Sequence, residues 1–204
     1  MSEKNMWQIE CTWAERGMKL ICGVDEAGRG PLAGPVCAAA VILPPNADIP
    51  GLDDSKKLSD KRRRELFPVI QEKALAWGIA FADCHEIDDI NILQASLLAM
   101  ERAVEKLSVR PDMLLVDGNR LKDFGIPAEA VVHGDSLSAS IAAASILAKV
   151  TRDDYMLEMA AAYPGYGFHV HKGYGTKAHY AALRELGPCP IHRRSFLKKL
   201  YGEK

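Results

Sequence analysis

The sequence predicts an α/β protein, a five-stranded mixed sheet flanked by helices, with a helical C-terminal part. Three observations predict it. Five apolar runs of strand length, at 20–24, 35–43, 77–84, 113–119 and 128–135, are bounded by Gly, Pro, Asn and Asp. Two longer stretches, 91–107 and 138–163, carry apolar residues at helical spacing or nearly throughout. Their order is β-β-β-α-β-β-α with a further capped helix, so the first three strands form an antiparallel meander. The last two, reached through helices, add in parallel.

The first run, "LICGV", leads into a Gly/Pro loop and out again into "PVCAAAVIL". Residues 44–55, "PPNADIPGLDDS", are rich in turn formers and read as a loop. Ser59 then precedes "DKRRRELFPVIQEKAL", a capped helix over 60–75 with Pro68 as a kink or break. "WGIAFADC" is the third strand. In 91–107 the main apolar stripe is Leu93, Leu97, Met100, Val104 and Leu107. "MLLVDGN" has the continuous apolar character of a central, doubly covered strand, and "AEAVVHGD" is the fifth. The stretch 138–163 is hydrophobic enough to be a largely buried helix, with Asp135, Ser136 and Ser138 as candidate caps. The tail holds "HKGYGT", a helix over 177–186 and the basic "HRRSFLKKL".

Nearly half of the 204 residues are apolar, enough for a full core in one domain spanning 1–204, with a basic helical segment over about 165–204. Net charge is −1, but it is unevenly spread. From His169 onward eight Lys or Arg face two Glu, a net +6, and Lys56, Lys57, Lys61, Arg62, Arg63 and Arg64 form a second basic cluster. Such asymmetry marks either a polyanion-binding face or solvated helix faces. Five cysteines without a CxxC pair read as reduced thiols in a cytoplasmic protein. The N-terminus "MSEKNMWQIE" is polar, and no apolar run reaches the roughly 20 residues that span a bilayer, so neither a signal peptide nor a membrane partner is expected. Without coiled-coil heptads, a monomer is the default.

The chemistry concentrates at strand ends. Asp25 and Glu26 close the first run, Asp117 the fourth and Asp135 the fifth. If the first and fourth strands are neighbours, three or four carboxylates meet at one sheet edge. They then raise one another's pKa or bind a cation. Oxygen ligands without Cys or His suit magnesium or manganese. Adjacent residues on a strand face opposite sides, so Glu26 joins Asp25 only if the strand ends there, or through its backbone carbonyl. The neighbouring glycines, Gly28-x-Gly30-x-x-x-Gly34, lack the dinucleotide-binding spacing and lead into a strand; they serve close approach of a ligand to backbone. No Ser-His-Asp or Cys-His arrangement is legible, which points to water as nucleophile. His133, His169, His171, His179 and His192 form no metal-ligand pattern beyond His169-x-His171, and read as structural or solvent-facing. Ser145 and Lys149 lie one helical turn apart and Lys56 and Lys57 follow a loop; each pair is either structural or a phosphate contact.

"VDEAGRGPLAGPV", "DSKKLS", "LLVDGN", "IAAASILAKVTRD", "GYGFHVHKGYGTKAHYAAL" and "HRRSF", in this order between about residues 20 and 196, resemble bacterial ribonuclease HII. The resemblance implies a ribonuclease H-like fold. It implies cleavage of the RNA strand of RNA–DNA hybrids and of single ribonucleotides in duplex DNA, with removal of misincorporated ribonucleotides. It also implies Mn2+ or Mg2+ as cofactor. The family's acidic quartet falls on Asp25, Glu26, Asp117 and Asp135, its Gly-Arg-Gly element on Gly28, Arg29 and Gly30, and its junction-sensing tyrosine on Tyr174. Two-metal hydrolysis leaving 5′-phosphate and 3′-hydroxyl ends is the expected mechanism, with Lys56, Lys57 and the basic tail on the phosphate backbone. The chain lacks the N-terminal substrate-binding extension of the ribonuclease HIII sibling, and "SFLKKLYGEK" lacks the glutamine and aromatic pair of a sliding-clamp peptide. The rival readings are a ribonuclease H-fold nuclease acting on DNA and a non-catalytic nucleic-acid-binding module.

Overall fold

A computed structural model describes residues 5–202. The chain begins with a short helix, α1 (Gln8–Glu15), and enters strand β1 (Ile21–Ala27). Strand β2 (Val36–Ile42), helix α2 (Asp60–Lys73) and strand β3 (Ala76–Ala82) follow. Helix α3 (Cys84–Glu105), strand β4 (Met113–Asp117) and strand β5 (Ala128–Val131) lead through a 3₁₀ turn, Gly134–Ser136, into the long helix α4 (Ala139–Ala162). Three helices finish the chain: α5 (Phe168–His171), α6 (Lys177–Leu186) and α7 (Arg194–Tyr201).

The sheet order is β3-β2-β1-β4-β5. β2 pairs antiparallel with β1 and β3, while β4 is parallel to β1 and β5 parallel to β4, as the order of elements requires. The two-residue alternation of strands assigns the faces. Cys22, Val24, Leu114 and Val116 point toward α3 with Ala95, Ala99, Met100 and Ala103. Ile21, Met113 and Leu115 point to the other face, against Ile141 of α4. Farther along that face, Cys37, Ala39 and Val41 meet Ala143, Ile146 and Leu147 of α4 together with Leu66 and Ile70 of α2. Gly23 lets α4 settle on β1: a Cβ there would lie 2.1 Å from the Ser140 carbonyl carbon. The start of α4 is thereby pinned against the strand that carries Asp25.

Several boundaries differ from those the sequence predicts. β1 runs on to Ala27, because Asp25, Glu26 and Ala27 pair with Ala39, Ala38 and Cys37. α3 begins at Cys84 rather than 91: Asp83 accepts from the backbone N–H groups of His85 and Glu86, and Glu86 accepts from the Asp83 N–H, a reciprocal capping box. The expected start survives as an interruption at Asn91, whose φ is 67°. α2 continues through Pro68 to Lys73. β5 ends at Val131, so Asp135 lies in the 3₁₀ turn rather than on a strand end, after His133 in the left-handed region. Of the candidate caps for α4, Ser138 takes the role and accepts from the Ile141 N–H. α1 and α5 have no counterpart in the sequence reading.

Candidate active site

Parallel pairing of β1 with β4 ends at Val24 and Val116, so Asp25 and Asp117, the next residue of each strand, lie side by side at the end of the β1–β4 seam. Both odd-numbered residues face α4. The 3₁₀ turn then brings in Asp135, and the Gly134 N–H donates to Asp117 Oδ1 at 2.7 Å, which ties this turn to the end of β4. One oxygen from each of Asp25, Asp117 and Asp135 lies within 4.8 Å of the others. Burial pushes the Asp25 carboxyl well above its ordinary range, reinforced by the charges of Glu26 and Asp117, and Asp117 is raised by burial and then by Asp135. Crowded, buried, oxygen-only donors of this kind fit a small hard divalent cation.

Glu26 stands apart from that trio. It follows Asp25 within a continuing strand and takes the α3 side, lining the same cleft from there. Its carboxylate accepts from Arg29 at 3.2 Å, although burial still holds it above its usual value. Opposite, Lys56 Nζ donates to Asp135 Oδ2 at 2.8 Å. Burial pulls this lysine down, but its bond to Asp135 and the neighbouring acids outweigh that and hold it above the usual lysine value. Its loop is set from below: Arg63 donates to the carbonyls of Ser55 and Leu58 at 2.8 and 2.6 Å, and the Ser55 N–H reaches Ser145 Oγ at 3.3 Å.

The cleft is lined by Asp25, Glu26, Gly28, Arg29, Gly30, Lys56, Arg63, Asp117, Ser145, Lys149 and Tyr174, among others. Three of the four sequence-predicted acids, Asp25, Glu26 and Asp117, therefore share one cavity wall with the Gly-Arg-Gly element, the tyrosine and Lys56; Asp135 is buried behind that wall, against Lys56. Lys57 is not in that lining; it is exposed and pairs with Asp53 at 3.1 Å. Lys149 reaches the lining while paired with Asp153 at 2.7 Å. His171, His179 and His192 are buried away from solvent, whereas His133 and His169 are exposed.

Two arginines behind the glycine loop are given no such role in the sequence reading. Arg193, counted there with the basic tail, is fully buried and donates to the carbonyls of Gly34, Arg29 and Gly28 at 2.9, 2.9 and 2.6 Å. Arg152 is 1 % exposed and donates to Pro35, Ala33 and Lys172 carbonyls at 3.0, 3.1 and 3.1 Å. One signal for Arg152 was available: at four-residue spacing it continues Ala144 and Ala148 and precedes Met156, a stripe that is buried throughout. Of the remaining basic tail, Arg194 and Lys198 are exposed, and Lys204 and the side chain of Lys199 lie outside the described residues.

Comparison with known proteins bears on the family and the fold. A family model described as ribonuclease HII matches residues 22–199. The chain is 62 % identical over 177 residues to ribonuclease HII of Dechloromonas aromatica (strain RCB), covering 87 % of this chain and 90 % of the relative. It is 55 % identical over 196 residues to that of Geobacter metallireducens, covering 96 % and 92 %. Among solved structures it is similar to the ribonuclease H2 from Pyrococcus horikoshii OT3, with a TM-score of 0.72 at 24 % identity, over 90 % of this chain and 99 % of that one. This last likeness speaks for the fold.

Proposed function

The chain belongs to the ribonuclease HII family and is a ribonuclease H enzyme; from that premise we propose that it hydrolyses the RNA strand of RNA–DNA hybrids and cuts on the 5′ side of single ribonucleotides in duplex DNA. The observation that carries the reading is that Asp25 and Asp117 of the crowded carboxylate trio line one cleft with a Gly-Arg-Gly loop and a tyrosine. The first suits metal-assisted hydrolysis, the second a sugar.

Asp25, Asp117 and Asp135 would hold the ions, Mn2+ or Mg2+, with Glu26 adding its carboxylate or its backbone carbonyl. Bound there as a pair, such ions supply an acidified attacking water and charge neutralisation at the leaving 3′ oxygen, with 5′-phosphate and 3′-hydroxyl products. The protein's own groups do the rest. Lys56 neutralises Asp135 and lies beside the cleft, where a phosphate can take over as its partner. Arg29, half exposed on Glu26, is placed for the same exchange. RNA differs from DNA at the 2′-hydroxyl, which both donates and accepts. Arg193 holds the carbonyls of Gly28 and Arg29 from behind, and the loop's N–H groups can meet that hydroxyl as donors. Tyr174, 43 % exposed, supplies a ring for the sugar that follows. All five cysteines are free thiols, in keeping with a cytoplasmic setting.

The test is a DNA duplex containing one ribonucleotide, an all-DNA duplex and a hybrid, each with and without magnesium. Cleavage that needs both ribonucleotide and metal supports the reading. Equal cutting of all-DNA would make the chain a DNA nuclease, and binding without cutting a non-catalytic module.

A further inference from the structure

Tyr174 sits in a short turn after α5, yet a sugar reader must be held to a fraction of an ångström. Its backbone is held from underneath by histidines that the proposed chemistry does not use. His179 Nδ1 lies 3.0 Å from the Tyr174 carbonyl oxygen. His179 Nε2 lies 3.0 Å from His192 Nε2, and the Cys189 N–H donates to His192 Nδ1 at 2.9 Å.

These contacts fix the protons. A carbonyl only accepts, so His179 carries its proton on Nδ1. A neutral His179 then has a bare Nε2, and His192 must donate to it from Nε2. His192 is left with a bare Nδ1, which accepts from the Cys189 N–H at 2.9 Å; the Cys189 carbonyl oxygen, at 3.2 Å from the same nitrogen, is the longer contact and receives no proton from it. The chain of donors runs one way, from the Cys189 amide through two imidazoles to the Tyr174 carbonyl. A proton added at His179 Nε2 would face the His192 N–H across 3.0 Å, and one added at His192 Nδ1 would face the Cys189 N–H across 2.9 Å. Both rings are buried, and burial pushes both below the usual histidine value, His192 to about 4. His171 stacks on His179 with ring centroids 4.5 Å apart, and Phe168 meets it edge-on at 5.5 Å, so the ring has little freedom to turn. On the other side of Tyr174, the Leu32 N–H donates to the Gly173 carbonyl at 2.8 Å and joins this turn to the glycine loop.

We propose that His179 and His192 are positioning residues for ribonucleotide recognition, a neutral two-imidazole relay that sets the Tyr174 backbone and thereby its ring against the sugar. The proposal rests on the reading of Tyr174 as a sugar reader, and its test separates the two.

The measurement is kcat/KM on a single-ribonucleotide duplex divided by that on an RNA–DNA hybrid. It is made for the wild type, His179→Phe, His179→Asn, Tyr174→Ala and the Tyr174→Ala/His179→Phe double variant. Phe keeps the stack and removes both nitrogens; Asn keeps a donor near the Nδ1 position. His179→Phe should lower the ratio roughly tenfold, the scale of one hydrogen bond. Asn should restore most of it, and Phe should have no further effect once Tyr174 is Ala. If Tyr174→Ala leaves the ratio unchanged, the sugar-reading role and the relay fall together. If Tyr174→Ala lowers it but His179→Phe does not, or does so equally in both backgrounds, the relay alone falls. Should His179→Phe fail to fold, imidazole nitrogen-15 spectra of the wild type decide. Protons on His179 Nδ1 and His192 Nε2 support the relay, and the opposite tautomers or a charged ring overturn it.

Discussion

Gly28 and Gly30 belong to one motif, but the structure predicts opposite consequences for replacing them. Gly28 has φ +99°, and a Cβ there would lie 1.9 Å from Arg152 Nε and 2.4 Å from its Cδ. Backbone in this region costs a non-glycine residue of order 1–3 kcal/mol. Moving the buried guanidinium breaks at least one of its three bonds to carbonyls, worth about 1.5–3 kcal/mol for a charged donor. Gly28→Ala should therefore destabilise the protein by about 3 kcal/mol or more, which at roughly 2–4 °C per kcal/mol for a chain of this size lowers Tm by about 6–12 °C. At Gly30 a Cβ would meet only the Tyr174 ring, at 3.6 Å, an ordinary contact. Gly30→Ala should melt within about 2 °C of the wild type yet slow cleavage on both substrates, because the added methyl lies on the surface offered to the sugar. The assay is calorimetric melting of both variants beside their cleavage rates. A Gly28→Ala protein that melts with the wild type would refute the claim that Arg152 clamps this loop.

Other outcomes follow from the same geometry. Asp25 and Asp117 are raised in the metal-free fold. Between the unfolded carboxylate range near pH 4 and those raised values, the folded state binds more protons than the unfolded one, so this contribution makes the metal-free protein more stable as pH falls. Magnesium relieves the repulsion that proton loss exposes, so its Tm gain over EDTA-treated protein should be larger near pH 8 than near pH 5.5; equal gains would argue against these ligands. Lys56→Gln and Arg29→Gln should each reduce the log–log salt slope of duplex binding by about 0.9 if each meets one phosphate, and an unchanged slope would return both to solvent-facing roles. Calcium should support binding without efficient turnover, since its bonds of about 2.3–2.6 Å exceed the roughly 2.0–2.1 Å of magnesium; rapid turnover in calcium alone would contradict a site suited to small octahedral ions.

The sheet was legible because its strands announce themselves as apolar runs closed by Asp, Gly or Asn. The meeting of Asp25 with Asp117 was legible only on the condition that the first and fourth strands are neighbours, which the parallel β1–β4 pairing supplies. Asp135 was legible as a residue but not in its setting, since nothing local distinguishes a strand end from a 3₁₀ turn four residues later. The start of α3 was written as Asp83-x-x-Glu86 but hidden behind an apolar run that read as strand. α1 gave no such signal, and its N-cap, Trp7, makes no side-chain cap bond. The least legible residues are Arg193 and the histidines. Arg193 bonds to carbonyls some 160 residues away in the chain, and His192 and His179 meet only after the tail folds back. Side chains that hold distant backbone leave no periodicity and no spacing, so in sequence Arg193 is one more positive charge. Its burial also means that deleting the tail after Gly187 would remove a loop clamp together with the exposed cations; single neutralisations isolate the phosphate contacts instead.

The most direct test of the account is Asp117→Asn on a duplex with one ribonucleotide in magnesium, with binding and cleavage measured separately. The amide keeps an oxygen for the Gly134 N–H, so the turn that carries Asp135 stays tied to β4 and only the charge is lost. Loss of several kcal/mol of metal-assisted stabilisation predicts cleavage slower by roughly 10³-fold, with affinity equal or tighter because a negative charge has left a polyanion-binding cleft. An Asp117→Asn protein that cuts at the wild-type rate would contradict the account.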